Sequence, residues 1–147
     1  MLVGILMGSE SDKEVMKLTS EVLRDLKIPC EVNVMSAHRA PDKVKEYASS
    51  ASERGLKVLI AGAGLAAHLA GAVAAQTILP VIGVPLAAGP LNGMDSLLST
   101  VQMPKGIPVA TVAIGSHGAR NAAYLAAQII ALEDPEVAAR LKELRGW

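Results

Sequence analysis

A chain of 147 residues with 14 basic and 14 acidic side chains and no net charge is sized for a single domain, residues 1–147, and lacks the excess of one sign that nucleic acid or an acidic membrane surface would call for. The lone Cys30 has no partner for an internal disulfide, and the N-terminus carries neither a charged lead-in nor a small-residue cleavage site, so the expected compartment is the cytoplasm and the expected partner a small molecule. Val58 to Met94 holds no Asp, Glu, Lys or Arg, but Pro80, Pro85, Pro90 and its glycines cut it into pieces shorter than the ~20 residues of a spanning helix, so it reads as buried core.

Leu2 to Met7 is a continuous apolar run ending at Gly8, the pattern of a strand buried on both faces. Lys13 to Leu26 follows as an amphipathic helix with Val15, Met16, Leu18, Val22, Leu23 and Leu26 on one face and Asp12 positioned to cap it. Cys30, Val32 and Val34 alternate with Glu31, Asn33 and Met35, which predicts an edge strand. Pro41 opens the next helix and Gly55 ends it, with Val44, Tyr47, Ala48 and Ala51 inward. Strand Val58–Ala61, helix Leu69–Gln76, strand Val81–Val84 and a short helix after Asp95 come next. Strand Val109–Ile114, helix Ala119–Leu132 and helix Pro135–Leu144 complete the order.

This alternation predicts an α/β fold: a doubly wound, flavodoxin-like, five-stranded parallel sheet of order 2-1-3-4-5 with helices on both faces. Ligands then sit beyond the carboxyl ends of strands one and three. A mean hydropathy of +0.37 with 2% aromatics implies more apolar surface than one small domain hides, hence a stable oligomer.

Three loops should therefore meet at one sheet edge: Gly8 to Asp12, Ser36 to Arg39, and Gly62 to His68. The first opens a helix, whose free amides and dipole favour a phosphate, although Ser9, Ser11 and Asp12 would serve equally as caps. Arg39 in the next loop can grip phosphate bidentately. His38 beside it has the titration range for acid and base work near neutral pH. His68 is either a second reactive group or a satisfied polar residue at a helix start, and His117 reads as surface. Gly62-x-Gly64-x-x-Ala67 mimics a dinucleotide fingerprint, but it follows the third strand and Val84 stands where an acidic residue would be needed, so the glycines are read as allowing backbone to approach a substrate. Three scattered histidines and Cys30 lack paired-ligand spacing, and no Walker loop, nucleophile elbow or Cys-x-x-Cys occurs, so neither metal nor cofactor is expected.

Gly8-Ser9-x-Ser11-Asp12, Ser36-Ala37-His38-Arg39-x-Pro41, Ala66-Ala67-His68-Leu69 and the block from Asp95 to Pro104 resemble, in order, the PurE family of purine biosynthesis in its bacterial-type branch. The likeness runs on through Pro108 to Ile114 and Asn121-Ala122-Ala123 and covers nearly the whole chain. It implies an isomerase that interconverts N5-carboxyaminoimidazole ribonucleotide and 4-carboxy-5-aminoimidazole ribonucleotide in a cytoplasmic homo-octamer, without metal or organic cofactor. It further implies that Ser9 and Arg39 hold the substrate phosphate with help from Ser11 and Ser36, that Asp12 binds the ribose hydroxyls, and that His38 is the general acid and base, with His68 as a second catalytic candidate. Small residues such as Ala66, Ala67 and Gly71 would let backbone approach the ring. Two other readings are the animal-type branch, which carboxylates aminoimidazole ribonucleotide with free carbon dioxide and usually reads Ser-Ala-His-Lys, and a catalytically idle nucleotide-binding module. Arg39 and the Asp95 to Pro104 block favour the mutase. The chain departs from the family pattern at Leu65, where Gly is usual, and at Ala70, where Pro is usual. A leucine there is strained if the position takes a positive φ.

Overall fold

The computed structural model describes residues 1–147. Five strands, β1 (Val3–Met7), β2 (Cys30–Val34), β3 (Val58–Gly64), β4 (Val81–Leu86) and β5 (Ala110–Thr111), alternate with six helices. The helices are α1 (Lys13–Asp25), α2 (Pro41–Ser50), α3 (Leu69–Ala74), α4 (Met94–Val101), α5 (Ser116–Ile130) and α6 (Pro135–Leu144). All strand pairs are parallel and the order is β2-β1-β3-β4-β5, the order that the alternation predicts. Val3 stands opposite Cys30 on one side and Val58 on the other, so β1 and β3 occupy the centre, where their residues are buried.

Because strand side chains alternate with a period of two, the central strands feed two cores. Val3, Ile5, Met7, Val58 and Ile60 face α1, α5 and α6, whereas Leu6, Leu59 and Ala61 face α2 and α3. The first core is thin because α5 presents Ala119, Ala122, Ala123, Ala126 and Ala127, all fully buried and spaced as one helical stripe. Their small volume lets α5 lie close to α1, and the buried Thr19 hydroxyl crosses that interface to donate to the Ala119 carbonyl at 2.8 Å. At the sheet edge, β2 leaves Val32 and Val34 49% and 37% exposed while Glu31 and Asn33 are half-buried, so the wetter face of this edge strand carries the valines, and Glu31 on the other face accepts from Tyr47 and Arg54. No helix is long and apolar enough to cross a membrane.

Several boundaries differ from the sequence expectation for identifiable reasons. β5 spans two residues rather than Val109–Ile114. Gly83 and Pro85 turn their carbonyls toward this edge, accepting from Val112 (3.1 Å) and Gly115 (2.8 Å), but Pro85 has no N–H to return a bond, so the ladder stops. β3 runs past Ala61 to Gly64, because Gly62 to Gly64 continue to pair with Val84 to Leu86. Gly62 is thus not a loop residue approaching substrate: a Cβ there would collide with Met16, and its role is to admit α1. Gly71 likewise lies under Met103, whose sulfur would be 3.1 Å from an added Cβ, and so accommodates the segment after α4. The helix expected from Ala119 begins at Ser116, directly after Gly115 at φ +73°. α2 stops at Ser50, and turns carry the chain on to Gly55 at φ +83°.

Candidate active site

The carboxyl ends of β1, β2 and β3 open onto a cleft of about 490 Å³. The turn after β1 contributes Gly8, Ser9, Ser11 and Asp12, the loop after β2 contributes Ser36 to Arg39, and the end of β3 with its loop contributes Ala63 to Leu69. All seven polar residues singled out from the sequence, Ser9, Ser11, Asp12, Ser36, His38, Arg39 and His68, line this one space. A larger hollow of about 1070 Å³ lies among residues 74–81 and 106–110, and Glu53 is its only ionisable side chain. It offers none of the proton-transfer or anion-binding groups of the first.

The β1 turn is wound by its own hydroxyls. Ser9 is extended at φ −151°, its Oγ accepts from the Ser11 amide at 3.3 Å and lies 2.9 Å from Ser11 Oγ, and a short 3-10 turn over Glu10–Asp12 leads into α1. Ser9 is therefore the cap. Asp12 occupies the position before α1 but makes no side-chain cap bond, contrary to the sequence expectation, because the preceding turn already satisfies the first amides. Its carboxylate faces the cleft set instead. Burial pushes the Asp12 carboxyl above its ordinary pKa, offset in part by the Ser9 backbone.

The β2 loop is folded by Ser36, whose Oγ accepts from the Arg39 amide at 3.3 Å and whose carbonyl accepts from the Ala40 amide at 2.8 Å. That turn exposes His38 and Arg39 together. Arg39 Nη2 donates to the Gly8 carbonyl at 3.5 Å, which bridges the first two loops, and the six ion pairs of the chain lie elsewhere. Its guanidinium thus keeps donors for an anion.

His68 precedes α3 and makes no side-chain cap bond there, so it is not the satisfied helix-start residue considered from sequence. Its ring meets that of His38 edge to face, with centroids 5.0 Å apart and planes at 69°. His117 lies exposed in the first turn of α5 and outside the cleft. Two lining residues went unnoticed in the sequence reading as site residues: Leu69, and Ala88 from the loop after β4. Only the Pro/Gly spacing around Pro85 and Pro90 hinted that this loop turns back over the sheet edge. Leu65 lines the cleft at φ +55°, the strained geometry anticipated for it, whereas Ala70 is buried in α3 with its Cβ 3.3 Å from where Gly83 would carry one. No group of three or more His, Cys, Asp or Glu side chains converges anywhere.

The arrangement combines a hydroxyl-bearing turn at a helix start, a guanidinium outside any ion pair, a carboxylate and two adjacent imidazoles, a set that suits proton transfer on a phosphorylated, hydroxyl-bearing small molecule. Comparison with known proteins agrees with that chemistry. The chain is 60% identical over 144 residues to the N5-carboxyaminoimidazole ribonucleotide mutase of Bacillus subtilis, covering 98% of this chain and 89% of the relative. It is 54% identical over 143 residues to the mutase of the same name from Escherichia coli, covering 97% and 85%. Among solved structures it superposes on Treponema denticola PurE with a TM-score of 0.86 at 30% identity, over 99% of this chain and 89% of that one. The AIR carboxylase family profile matches residues 2–146, and the chain belongs to that family.

Proposed function

We propose that this chain is an N5-carboxyaminoimidazole ribonucleotide mutase, an isomerase of purine biosynthesis that moves a carboxyl group from the exocyclic nitrogen to the ring carbon of its substrate. The observation that carries this reading is the convergence of the seven polar residues in one cleft, in a chain 60% identical to a mutase.

The ribonucleotide phosphate is held by Ser9, Ser11, Ser36 and Arg39, and Asp12 accepts from the ribose hydroxyls. His38 gives a proton to the carbamate nitrogen, the nitrogen–carboxyl bond breaks toward that nitrogen, and carbon dioxide is freed. The aminoimidazole carbon then attacks the trapped molecule as an enamine would, and the neutral imidazole takes the displaced ring proton. One histidine suffices because the proton it loses in the first half returns in the second. His68, 5.0 Å away, orients that ring and is the second catalytic candidate. The carboxyl carbon ends at the oxidation level at which it began, so the reaction calls for no metal or organic cofactor.

A homo-octamer in the cytoplasm completes the proposal. The single chain leaves Ile78 98% and Leu132 85% exposed, with Leu91, Met94 and Leu98 also bare along α4 and its approach, which is the surface that association would cover. Light scattering giving a monomer at micromolar concentration would overturn the oligomer.

The decisive experiment supplies N5-carboxyaminoimidazole ribonucleotide in bicarbonate-free buffer and follows 4-carboxy-5-aminoimidazole ribonucleotide. Product formed at a rate indifferent to added bicarbonate is the expected result. Product that requires bicarbonate and aminoimidazole ribonucleotide would assign direct carboxylation instead, and binding without turnover would leave a nucleotide-binding module.

A further inference from the structure

The block from Asp95 to Pro104 stands out in the sequence yet supplies none of the residues that line the cleft. Two buried hydroxyls pin α4 to the end of β4. Ser96 Oγ donates to the Leu86 carbonyl at 2.8 Å, and Thr100 Oγ1, one turn on, donates to the Ser96 carbonyl at 2.7 Å. Thr100 also covers Gly83 of β4, where a Cβ would collide with its methyl group. Past the helix end the Met103 amide donates to the Val101 carbonyl at 2.9 Å, and the half-buried Met103 side chain crosses Gly71 of α3. A Cβ on Gly71 would lie 3.1 Å from the sulfur and 3.3 Å from the methyl carbon beyond it, so the thioether lies against the helix backbone itself.

α3 depends on such contacts. It spans six residues, too few to hold a helix by its own hydrogen bonds, so its position is set by what packs on it. On its sheet side Ala70 approaches β4, with its Cβ 3.3 Å from where Gly83 would carry one. Met103 bears on the first turn at Gly71. That turn begins at His68, whose carbonyl accepts from the Ala72 amide at 3.0 Å and whose side chain makes no cap bond. The imidazole is thus carried by the backbone. A shift of α3 moves it relative to the His38 ring, whose centroid is 5.0 Å away on a different loop.

We propose that Met103 is a positioning residue for the reaction: by bearing on Gly71 it fixes the first turn of α3, and with it the distance and angle between the His68 and His38 rings. This rests on the mutase reading above and on the part His68 plays in it. Met103 lies outside the cleft, so its influence on turnover passes through α3. An unbranched thioether suits the task, because it fills the shallow space over a glycine without a branch to push the helix away. Binding and turnover are expected to separate. Proton transfer depends steeply on placement, a shift of about 1 Å costing up to about 100-fold. The phosphate- and ribose-binding groups sit instead on the loops after β1 and β2, which α3 does not carry.

The test measures kcat, KM and melting temperature for Met103→Ala, Met103→Val and Met103→Leu, each in the wild-type chain and beside His68→Ala. Met103→Ala is expected to lower kcat about tenfold with KM within about threefold. Met103→Val, the smaller truncation, should give a lesser loss in the same direction and carries the test if the alanine variant does not fold. Met103→Leu keeps the apolar volume and should restore kcat to within about twofold of wild type. In the His68→Ala background the truncations should lower the melting temperature as before but change kcat by less than about twofold, since the group through which Met103 acts is gone. A loss of kcat repeated in full in that background would mark general damage to the fold and overturn the assignment. A folded Met103→Ala chain with wild-type kcat, or a His68→Ala chain as fast as wild type, would overturn it too. A wild-type chain that makes no product would instead remove the mutase reading itself.

Discussion

Replacing Arg39 with alanine should separate substrate binding from stability, because this side chain contributes almost nothing to the fold. Its one internal bond, to the Gly8 carbonyl, sits at 3.5 Å, and it takes part in no ion pair. A contact at that limit is worth a few tenths of a kcal/mol at most, so the melting temperature should change by less than about 2 °C. Against a bound phosphate the sum is different. A hydrogen bond to a charged group contributes about 1.5–3 kcal/mol, and the exposure of Arg39 puts each of two parallel bonds near the lower end. Together they give about 3 kcal/mol, or roughly 100-fold in KM at about 1.4 kcal/mol per decade. Initial rates over a range of carbamate ribonucleotide, beside a thermal melt, measure both quantities. Added salt should weaken binding by the wild-type chain and affect the variant less. A folded variant whose KM stays within about threefold of wild type would refute the phosphate role of Arg39.

His38→Asn should lower kcat by about 10²–10⁴ with little change in KM, and undiminished turnover in steady-state assays would end its assignment as the proton carrier. Asp12→Asn should weaken substrate binding yet raise the melting temperature at neutral pH by no more than about 2–4 °C. Burial raises the Asp12 pKa in the folded chain, so its contribution to stability is present below the unfolded value and lost as pH rises through the folded one; melts at pH 7 and below pH 3 should show the gain at the first pH only. Tyr47 and Arg54 both donate to Glu31 Oε1, at 2.6 and 2.7 Å, and Tyr47→Phe should cost about 1–2 kcal/mol by removing the first bond. Burial by itself would raise the Glu31 pKa, but its hydrogen bonds to Tyr47 and Arg54 hold it below the usual carboxylate range, while burial and Glu31 push the Tyr47 hydroxyl up. The deficit of the variant should therefore shrink as acid protonates Glu31 and again above about pH 10, the unfolded tyrosine value, and an unvarying deficit in melts from pH 2 to 11 would count against it. Gly62→Ala should cost about 1–3 kcal/mol through its clash with the buried Met16, measured by denaturant unfolding.

Much of the fold was legible because it follows from periodicities the chain carries locally. The run Leu2–Met7 and the face of Lys13–Leu26 predicted β1 and α1 to within a residue or so, and alternation at Cys30–Met35 predicted an edge strand with one wetter face, although that face carries Val32 and Val34 and not Glu31 and Asn33. The strand order followed from the repeated strand–helix unit and the handedness of its crossovers. Given that order, the loops bearing Ser9, Asp12, His38, Arg39 and His68 could only meet at one edge, and they do.

What stayed illegible depended on which neighbour arrives in space. Gly62, Gly64 and Gly71 look alike in sequence, but Met16 fills the first, Ala88 abuts the second and Met103 covers the third. Asp12 has the composition of a cap, yet Ser9 takes that role and leaves the carboxylate for the cleft. β5 shortened because a proline on the neighbouring strand withheld an N–H, which no pattern within Val109–Ile114 records. The sequence by itself thus determined the kinds of element, their order and the polar residues brought to one sheet edge, since these rest on side-chain period and chain connectivity. Only the tertiary structure decided that His38 and His68 stand ring to ring and that Leu65 rests on Gly89, because those contacts join loops from different strands and depend on how closely the helices settle onto the sheet.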